Sequence, residues 1–195
     1  MREQILAAAT RLFAAQGFDG TSLAAIAQSV GIRKPSLLYH FKSKDELRRE
    51  VLEHMLAHWN EALPRLLAAA TSGQDQFSAI VGEMVAFFTA DADRARLIVR
   101  EVLDRPDEMR ELLESRVRPW VELVCDYIRK GQAQGRLHAE ADPEAYCVQV
   151  INLVVASVAT HDCIGALFAG GTGRDPARRN TDEMLRVARD ALFTR

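Results

Sequence analysis

Three cysteines in 195 residues are too few and too irregularly placed to staple a fold. Cys125, Cys147 and Cys163 are odd in number and show no C-x-x-C spacing, which excludes a disulfide framework and a zinc finger and leaves free thiols. Long apolar runs are also missing. The most apolar stretch, 148–159, is interrupted by Gln149, Asn152 and Ser157 and is shorter than the roughly 20 residues that span a bilayer. Residues 1–12 are amphipathic and lack the unbroken apolar core of a signal peptide, so a soluble, cytoplasmic chain without a membrane partner is expected. A glycine-rich phosphate loop, a completed metal motif and a nucleophile elbow are all lacking. An enzyme is therefore not expected, nor a cofactor or a metal. Strand-type alternation is scarce, and no internal repeat or low-complexity tract is present. With 48% hydrophobic and 27% charged residues, the composition is that of a globular protein and not of a disordered one.

A basic excess is absent overall, since the net charge is −2, yet that average conceals a division. The first fifty residues hold eight Lys/Arg against five Asp/Glu, which leaves seventeen against twenty-two in the rest. Within 33–49 the count is six against two, so the positive charge gathers where it can meet phosphates.

Apolar residues recur at three- and four-residue spacing, which predicts an all-α chain of about nine helices. Ile5, Leu6, Ala9, Leu12 and Phe13 define helix one, 2–16, stopped by Gly17. Thr21 and Ser22 offer caps for a short second helix with Leu23, Ile26, Ala27 and Val30 facing inward, and Gly31 breaks it. Pro35 pre-sets a third short helix, in which Leu37 and Phe41 turn inward with Ile32. Ser43, with Glu46 three residues on, signals the start of a fourth helix, which Pro64 is expected to kink or end and Thr71-Ser72-Gly73 to stop. Further helices are predicted over 75–90, 92–104, 107–134 with a kink at Pro119, 143–169 and 176–193, with a flexible loop at 170–173. The division expected is a helix-turn-helix domain, 1–45, and a larger helical sensing and dimerisation domain, 46–195.

Two short helices joined by a glycine turn, the second exposing basic and hydrogen-bonding side chains, is the geometry that sets a recognition helix in the major groove. Lys34 suits guanine or phosphate, Ser36 and His40 suit base or phosphate oxygens, and Pro35 and Leu38 suit thymine methyls. Tyr39 presents a ring with a polar tip, and Lys44 stands where it can clamp a flanking phosphate. The partner expected is a double-stranded DNA operator. A helical ligand-binding or scaffold protein whose head contacts protein is the other reading of the same pattern.

The text Ile5-Leu6-Ala7-Ala8-Ala9, Leu12-Phe13-Ala14, Gly17-Phe18, Thr21-Ser22-Leu23, Ile26-Ala27, Gly31-Ile32 and Leu37 through Lys44, with Leu47, resembles the head of TetR-type regulators. The resemblance covers about residues 2–55. It implies that 33–40 lies in the major groove, that Lys34, Pro35, Ser36, Tyr39 and His40 share in reading, and that Thr21, Ser22 and Lys44 touch phosphate. Leu38 stands where members often carry tyrosine, so the phosphate bond of that hydroxyl is missing here or an apolar contact takes its place. Arg33 replaces a frequent serine cap and adds a charge, and with Met1 next to helix one the basic N-terminal arm that some members use is expected to be absent or trimmed.

A head this small needs a partner on a palindromic site, so a homodimer is expected. The apolar residues of 143–169 distribute around the helix, which predicts burial on all sides. Val148, Val155 and Val158, with Met184, Leu185, Ala188 and Leu192 of the last helix, are the candidate dimer face, as the resemblance also implies. The resemblance further implies a cavity for a small-molecule effector, of unknown identity, among the middle helices. Met55, Trp59, Met84, Phe88, Trp120, Tyr127, Asn152 and His161 are its candidate lining, mixing apolar surface with sparse polar groups. The function implied is a one-component repressor released from DNA by an inducer. His54 and His58 have metal-compatible spacing, but nothing in the sequence completes a site. His161 and Cys163 point apart on a helix, so thiol activation there is not expected.

Overall fold

A computed structural model describes residues 1–69, 73–168 and 175–194. The predicted loop at 170–173, Ala169 at the predicted end of its helix, and Thr71 and Ser72 lie outside the described residues. The described chain is all-helical, apart from an isolated antiparallel bridge between Leu137 and Phe193. It comprises α1 (Arg2–Gly20), α2 (Leu23–Ser29), α3 (Lys34–His40), α4 (Lys44–Ala69), α5 (Gly73–Thr89), α6 (Ala92–Asp104), α7 (Pro106–Leu112), α8 (Arg118–Ala133), α9 (Pro143–Ala159), the single turn α10 (His161–Ile164) and α11 (Pro176–Asp190). Leu113–Val117 forms a π-helical turn that joins α7 to α8 in one rod, so ten helices, one of them the single turn α10, are present among the described residues.

Local chemistry explains most of the boundaries. The helical run of α1 is broken at Gly17, whose φ of 73° is disfavoured for a residue with a Cβ. Ser22 accepts the amide of Ala25 and caps α2. The turn after α2 is a two-bond glycine motif in which Gly31 N–H donates to the Gln28 carbonyl and Ile32 N–H to that of Ala27, both at 3.0 Å, with Gly31 at φ 76°. Arg33 occupies the N-cap of α3 but makes no side-chain cap bond, and Pro35 stabilises the first turn by its fixed φ. At α4, Ser43 Oγ accepts the Glu46 amide while the Glu46 carboxylate reaches back to the Lys42 amide, one residue earlier than a standard capping box.

Two prolines behave differently from each other. Pro64 does not end α4, which continues to Ala69. Its flanks Leu63 and Leu67 are buried, and that packing outweighs the lost backbone bond. Pro119, in the first turn of α8, follows the π-helical turn, which gives its ring room against the preceding turn.

The first core joins α1, α2, α3 and the start of α4 around Ile5, Phe13, Ile26, Leu37, Phe41 and Leu47, and it also takes in Leu97 of α6. The second joins α5, α6, α9 and α11 through Phe88, Ala95, Val154, Met184 and Ala188. The third gathers Cys125, Ile128, Leu137, Cys147 and Leu192. Helix α6 thus packs against α1 on one side and α9 on the other.

Candidate nucleic-acid interface and ligand cavity

The surface of α3 is presented as its sequence predicts. Leu37 and Phe41 are sealed in the core, while Arg33, Lys34, Pro35, Ser36 and Tyr39 are exposed and Leu38 and His40 half-exposed. Tyr39 is 87% exposed, far more than a packing residue would be. It meets His40 edge to face at 5.4 Å, which braces two polar tips beside each other. Among the described residues, Arg33, Lys34, Lys42, Arg49 and Arg11 take part in no ion pair. By contrast, Arg94, Arg96, Arg105, Arg110, Arg116, Arg118, Arg129, Arg186 and Arg189 of the body are each paired with a carboxylate. Those five head cations are therefore available for an external anion, whereas Arg2, Lys44 and Arg48 are engaged within the fold. Lys42, Arg11 and Arg49 escape sequence-level reasoning because they lie outside α3; their being basic and outward on the head is the available signal.

Two predicted phosphate contacts are spent inside the fold. Thr21 is buried at 2%, and its hydroxyl donates to the Gly17 and Leu12 carbonyls at 2.8 and 3.1 Å, so it closes the end of α1 and does not face DNA. Lys44 Nζ donates to the Phe18 and Thr21 carbonyls at 2.7 and 2.9 Å and lies 4.1 Å from the Phe18 ring centroid. Its ammonium satisfies backbone left open by the α1 break and locks α4 to that corner. Ser22 is exposed, with its oxygen occupied by the cap bond to Ala25.

A cavity of about 830 Å³ lies among α4, α5, α8 and α9, within the range usual for small-molecule sites. Six of the eight predicted lining residues border it: Met55, Trp59, Met84, Phe88, Trp120 and Tyr127. Asn152 and His161 do not. Asn152 is exposed on the outer side of α9, across the helix from Val154, and His161 is exposed on α10. The wall is otherwise mainly leucine, isoleucine, valine and phenylalanine, with Met109, Tyr146 and Cys147, and its polar members include Gln76, Lys130, Gln134, Arg136 and Thr194. Sequence reasoning misses those five; the cluster 130–136, where α8 gives way at Gly135, is the signal. Trp120 Nε1 donates to Asn60 Oδ1 at 3.0 Å and Tyr146 Oη to the Ala188 carbonyl at 2.8 Å, so neither polar atom is left unsatisfied.

The side chains at one end of the cavity also hold the head. Leu52, Met55, Ile98 and Leu112 border the cavity and pack in or against the head core. Nearby, Arg48 of α4 pairs with Glu101 of α6 and Glu108 of α7, and Arg100 Nε donates to the Ala14 carbonyl of α1 at 2.7 Å. Helices α4 and α6 connect cavity and head through both apolar and charged contacts.

The predicted dimer face divides. Val155, Met184, Ala188 and Leu192 are buried within their own chain: Val155 of α9 and the one apolar stripe of α11 join the second core, and Leu192, just beyond α11, joins the third. Val158 and Leu185 are half-buried against the second core, and Val148 is 48% exposed. The outer face of α9 adds Leu153 and Ala156, and α11 contributes Val187.

Cys125 and Cys147 lie with their sulfurs 3.9 Å apart as free thiols. Burial raises both, Cys147 to about 12, which disfavours the reactive thiolate. His58 hydrogen-bonds Glu83 at 2.9 Å and stacks on Phe87, while His54 pairs with Glu3 at 3.3 Å, so the two imidazoles serve different partners.

Comparison with known proteins bears directly on this arrangement. The family model for bacterial regulatory proteins of the tetR family matches residues 5–51, and the tetracyclin repressor-like C-terminal domain matches residues 97–165. The chain belongs to the TetR family of transcriptional regulators. Over 134 residues this TetR-family chain is 29% identical to the HTH-type transcriptional regulator LmrA of Bacillus subtilis, covering 66% of this chain and 71% of that one. It is 27% identical to the HTH-type transcriptional repressor KstR2 of Mycolicibacterium smegmatis, covering 72% and 69%. The fold is similar to that of Bacillus subtilis FadR in complex with stearoyl-CoA, with a TM-score of 0.77 at 13% identity over 98% of this chain and 99% of that one. No single described helix is long and apolar enough to cross a membrane.

Proposed function

We propose that this TetR-family regulator is a homodimeric repressor that grips a palindromic DNA operator through α3 and lets go when a small molecule fills the body cavity. The observation that carries this reading is the exposed face of α3, on which Arg33, Lys34, Pro35, Ser36 and Tyr39 stand clear of the core. Base reading falls to these residues with Leu38 and His40, and phosphate contact to Ser22, Lys42 and Arg49 on the flanks. Thr21 and Lys44 hold the reading unit in shape. Repression as the output follows the role of relatives such as the repressor KstR2.

Pairing of two copies falls to the outer face of α9, where Val148, Leu153 and Ala156 combine with Val158, Leu185 and Val187. Release requires the effector to bind the DNA-incompetent arrangement more tightly than the competent one. The side chains shared between cavity and head core, Leu52, Met55, Ile98 and Leu112, give such a ligand direct purchase on the placement of α1 and α4. Titrating the full chain into labelled DNA from the region upstream of its own gene tests the reading. A saturable dimer complex that weakens steeply with salt is expected, because phosphate contacts release counterions. No complex at any salt concentration, with folded dimer present, overturns it.

A further inference from the structure

The cavity has two chemically distinct ends. Toward the head it closes on Leu52, Met55 and Leu112. At the far end, Lys130 lies on the last turn of α8 and Arg136 just beyond it, and both border the cavity while remaining exposed to water. Neither has a carboxylate partner among the described residues. Lys130 Nζ lies 5.4 Å from the Tyr127 ring centroid, and Arg136 donates to the Gln134 side chain. No Asp or Glu occurs in the described lining. The end of α8 does not oppose an anion with bare carbonyls, since the amides of Gln134, Gly135 and Arg136 already bond the carbonyls of Lys130, Gln132 and Gly131.

We infer that the effector is an amphipathic anion with a long apolar body, its charged head held by Lys130 and Arg136 and its tail pointing toward the DNA-reading head. Leu52 and Leu67 both border the cavity and lie fifteen residues apart on α4, so the apolar wall extends for about 22 Å. That length suits an extended alkyl chain or a fused-ring skeleton and exceeds what a small polar metabolite can fill. Two cations beside apolar walls with no competing carboxylate favour a negatively charged head over a neutral or positive one. A carboxylate and a thioester-linked phosphate carrier present the same chemistry at this end. The polarity of binding matters for the switch: the tail end reaches the side chains shared with the head core. The inference rests on the cavity being the effector site proposed above.

The test is direct binding to the purified protein without DNA, followed through the fluorescence of Trp59 and Trp120, which both border the cavity. The probes are palmitate, palmitoyl-CoA and hexadecanol, the last having the same chain without charge. At least one anion is expected to bind tenfold or more tighter than hexadecanol, and the better of the two identifies a bare carboxylate or a phosphate-bearing carrier. The double variant K130Q/R136Q is expected to lose that tenfold preference while binding hexadecanol as before, a control that also reports an intact cavity. Equal affinity for the alcohol and both anions, an unchanged preference in the double variant, or no binding of any probe overturns the inference. A probe that binds as described but leaves the operator complex intact contradicts the release mechanism and not the ligand class. Release of DNA by a neutral compound alone contradicts the ligand class and not the release mechanism.

Discussion

Arg48 of α4 and Glu101 of α6 form a buried ion pair between the helix that begins at the reading head and the helix that packs beneath it. They are 6% and 3% exposed, and Glu108 at the start of α7 supplies Arg48 with a second carboxylate from the surface. A buried pair of this kind is weak evidence for net stability, but removing one member leaves the other stranded. Its position, between cavity and head, suits a contact that has to choose between two arrangements.

Replacing Glu101 with Gln is expected to destabilise the protein by roughly 3 kcal/mol, the low end for breaking a buried pair because Glu108 stays in reach. Replacing Glu108, which is half exposed, with Gln is expected to cost no more than about 1 kcal/mol. Urea denaturation of the two variants checks the order; equal losses would mean that burial of the pair carries no penalty.

Gly31→Ala isolates the cost of the turn. Nothing lies within 4 Å of a Cβ placed there, so the substitution meets only the strain of φ 76°. A loss of about 1–2 kcal/mol is expected, seen as a fall of several degrees in the melting temperature. Gly31→Asn is expected to lose less, since Asn tolerates the left-handed region better.

The Cys147 thiol gives the fold an alkaline limit. The unfolded chain releases this proton near pH 9, whereas the folded chain, with the thiol held up to about 12 by burial, retains it. Between these values the unfolded state binds fewer protons, so stability falls as pH rises from 9 toward 12 and is unaffected below that window. Chemical denaturation across pH 7–11 is expected to show the decline, and Cys147→Ala to lessen it, the buried Cys125 and Tyr146, raised in the same direction, keeping the remainder. At pH 8 the exposed Cys163 is expected to react with a thiol reagent well before Cys125 and Cys147.

Ile98 borders the cavity and packs against both the head core and the second core. Ile98→Ala is expected to cost about 2 kcal/mol of stability, the low end for such a truncation at a partly buried site. It is also expected to reduce the effector-induced loss of DNA affinity several-fold, with effector binding itself less affected. Unchanged release by a bound effector would remove Ile98 from the coupling route.

The helix-turn-helix head is legible in the sequence because its signals are local: Gly31, Pro35 and the spacing of Leu37 and Phe41 define the turn and the buried face without reference to the rest of the chain. Thr21 and Lys44 are misplaced by sequence reasoning for the opposite reason. Their partners, the carbonyls of Leu12, Gly17, Phe18 and Thr21, come together only when α1 breaks and α4 packs beside it. On α9 an apolar circumference announces two neighbours but not which valine meets which. On α11 the single stripe of Met184 and Ala188, continued by Leu192 just beyond the helix, serves the chain's own core, leaving mostly charge outside. The large apolar residues lining the cavity follow from helical spacing, whereas the cationic end depends on where α8 stops relative to the C-terminal segment, a long-range fact.

The central claim is that α3 reads DNA, and comparing operator affinity of the native protein with that of Lys34→Ala and Tyr39→Ala tests it most directly. Both side chains are exposed, so neither substitution disturbs the core. Fluorescence anisotropy across a range of salt concentrations is expected to show each variant at least tenfold weaker on the specific site, with the double variant weaker still. Native-like affinity and an unchanged salt slope in the double variant, with the fold intact, would contradict the account.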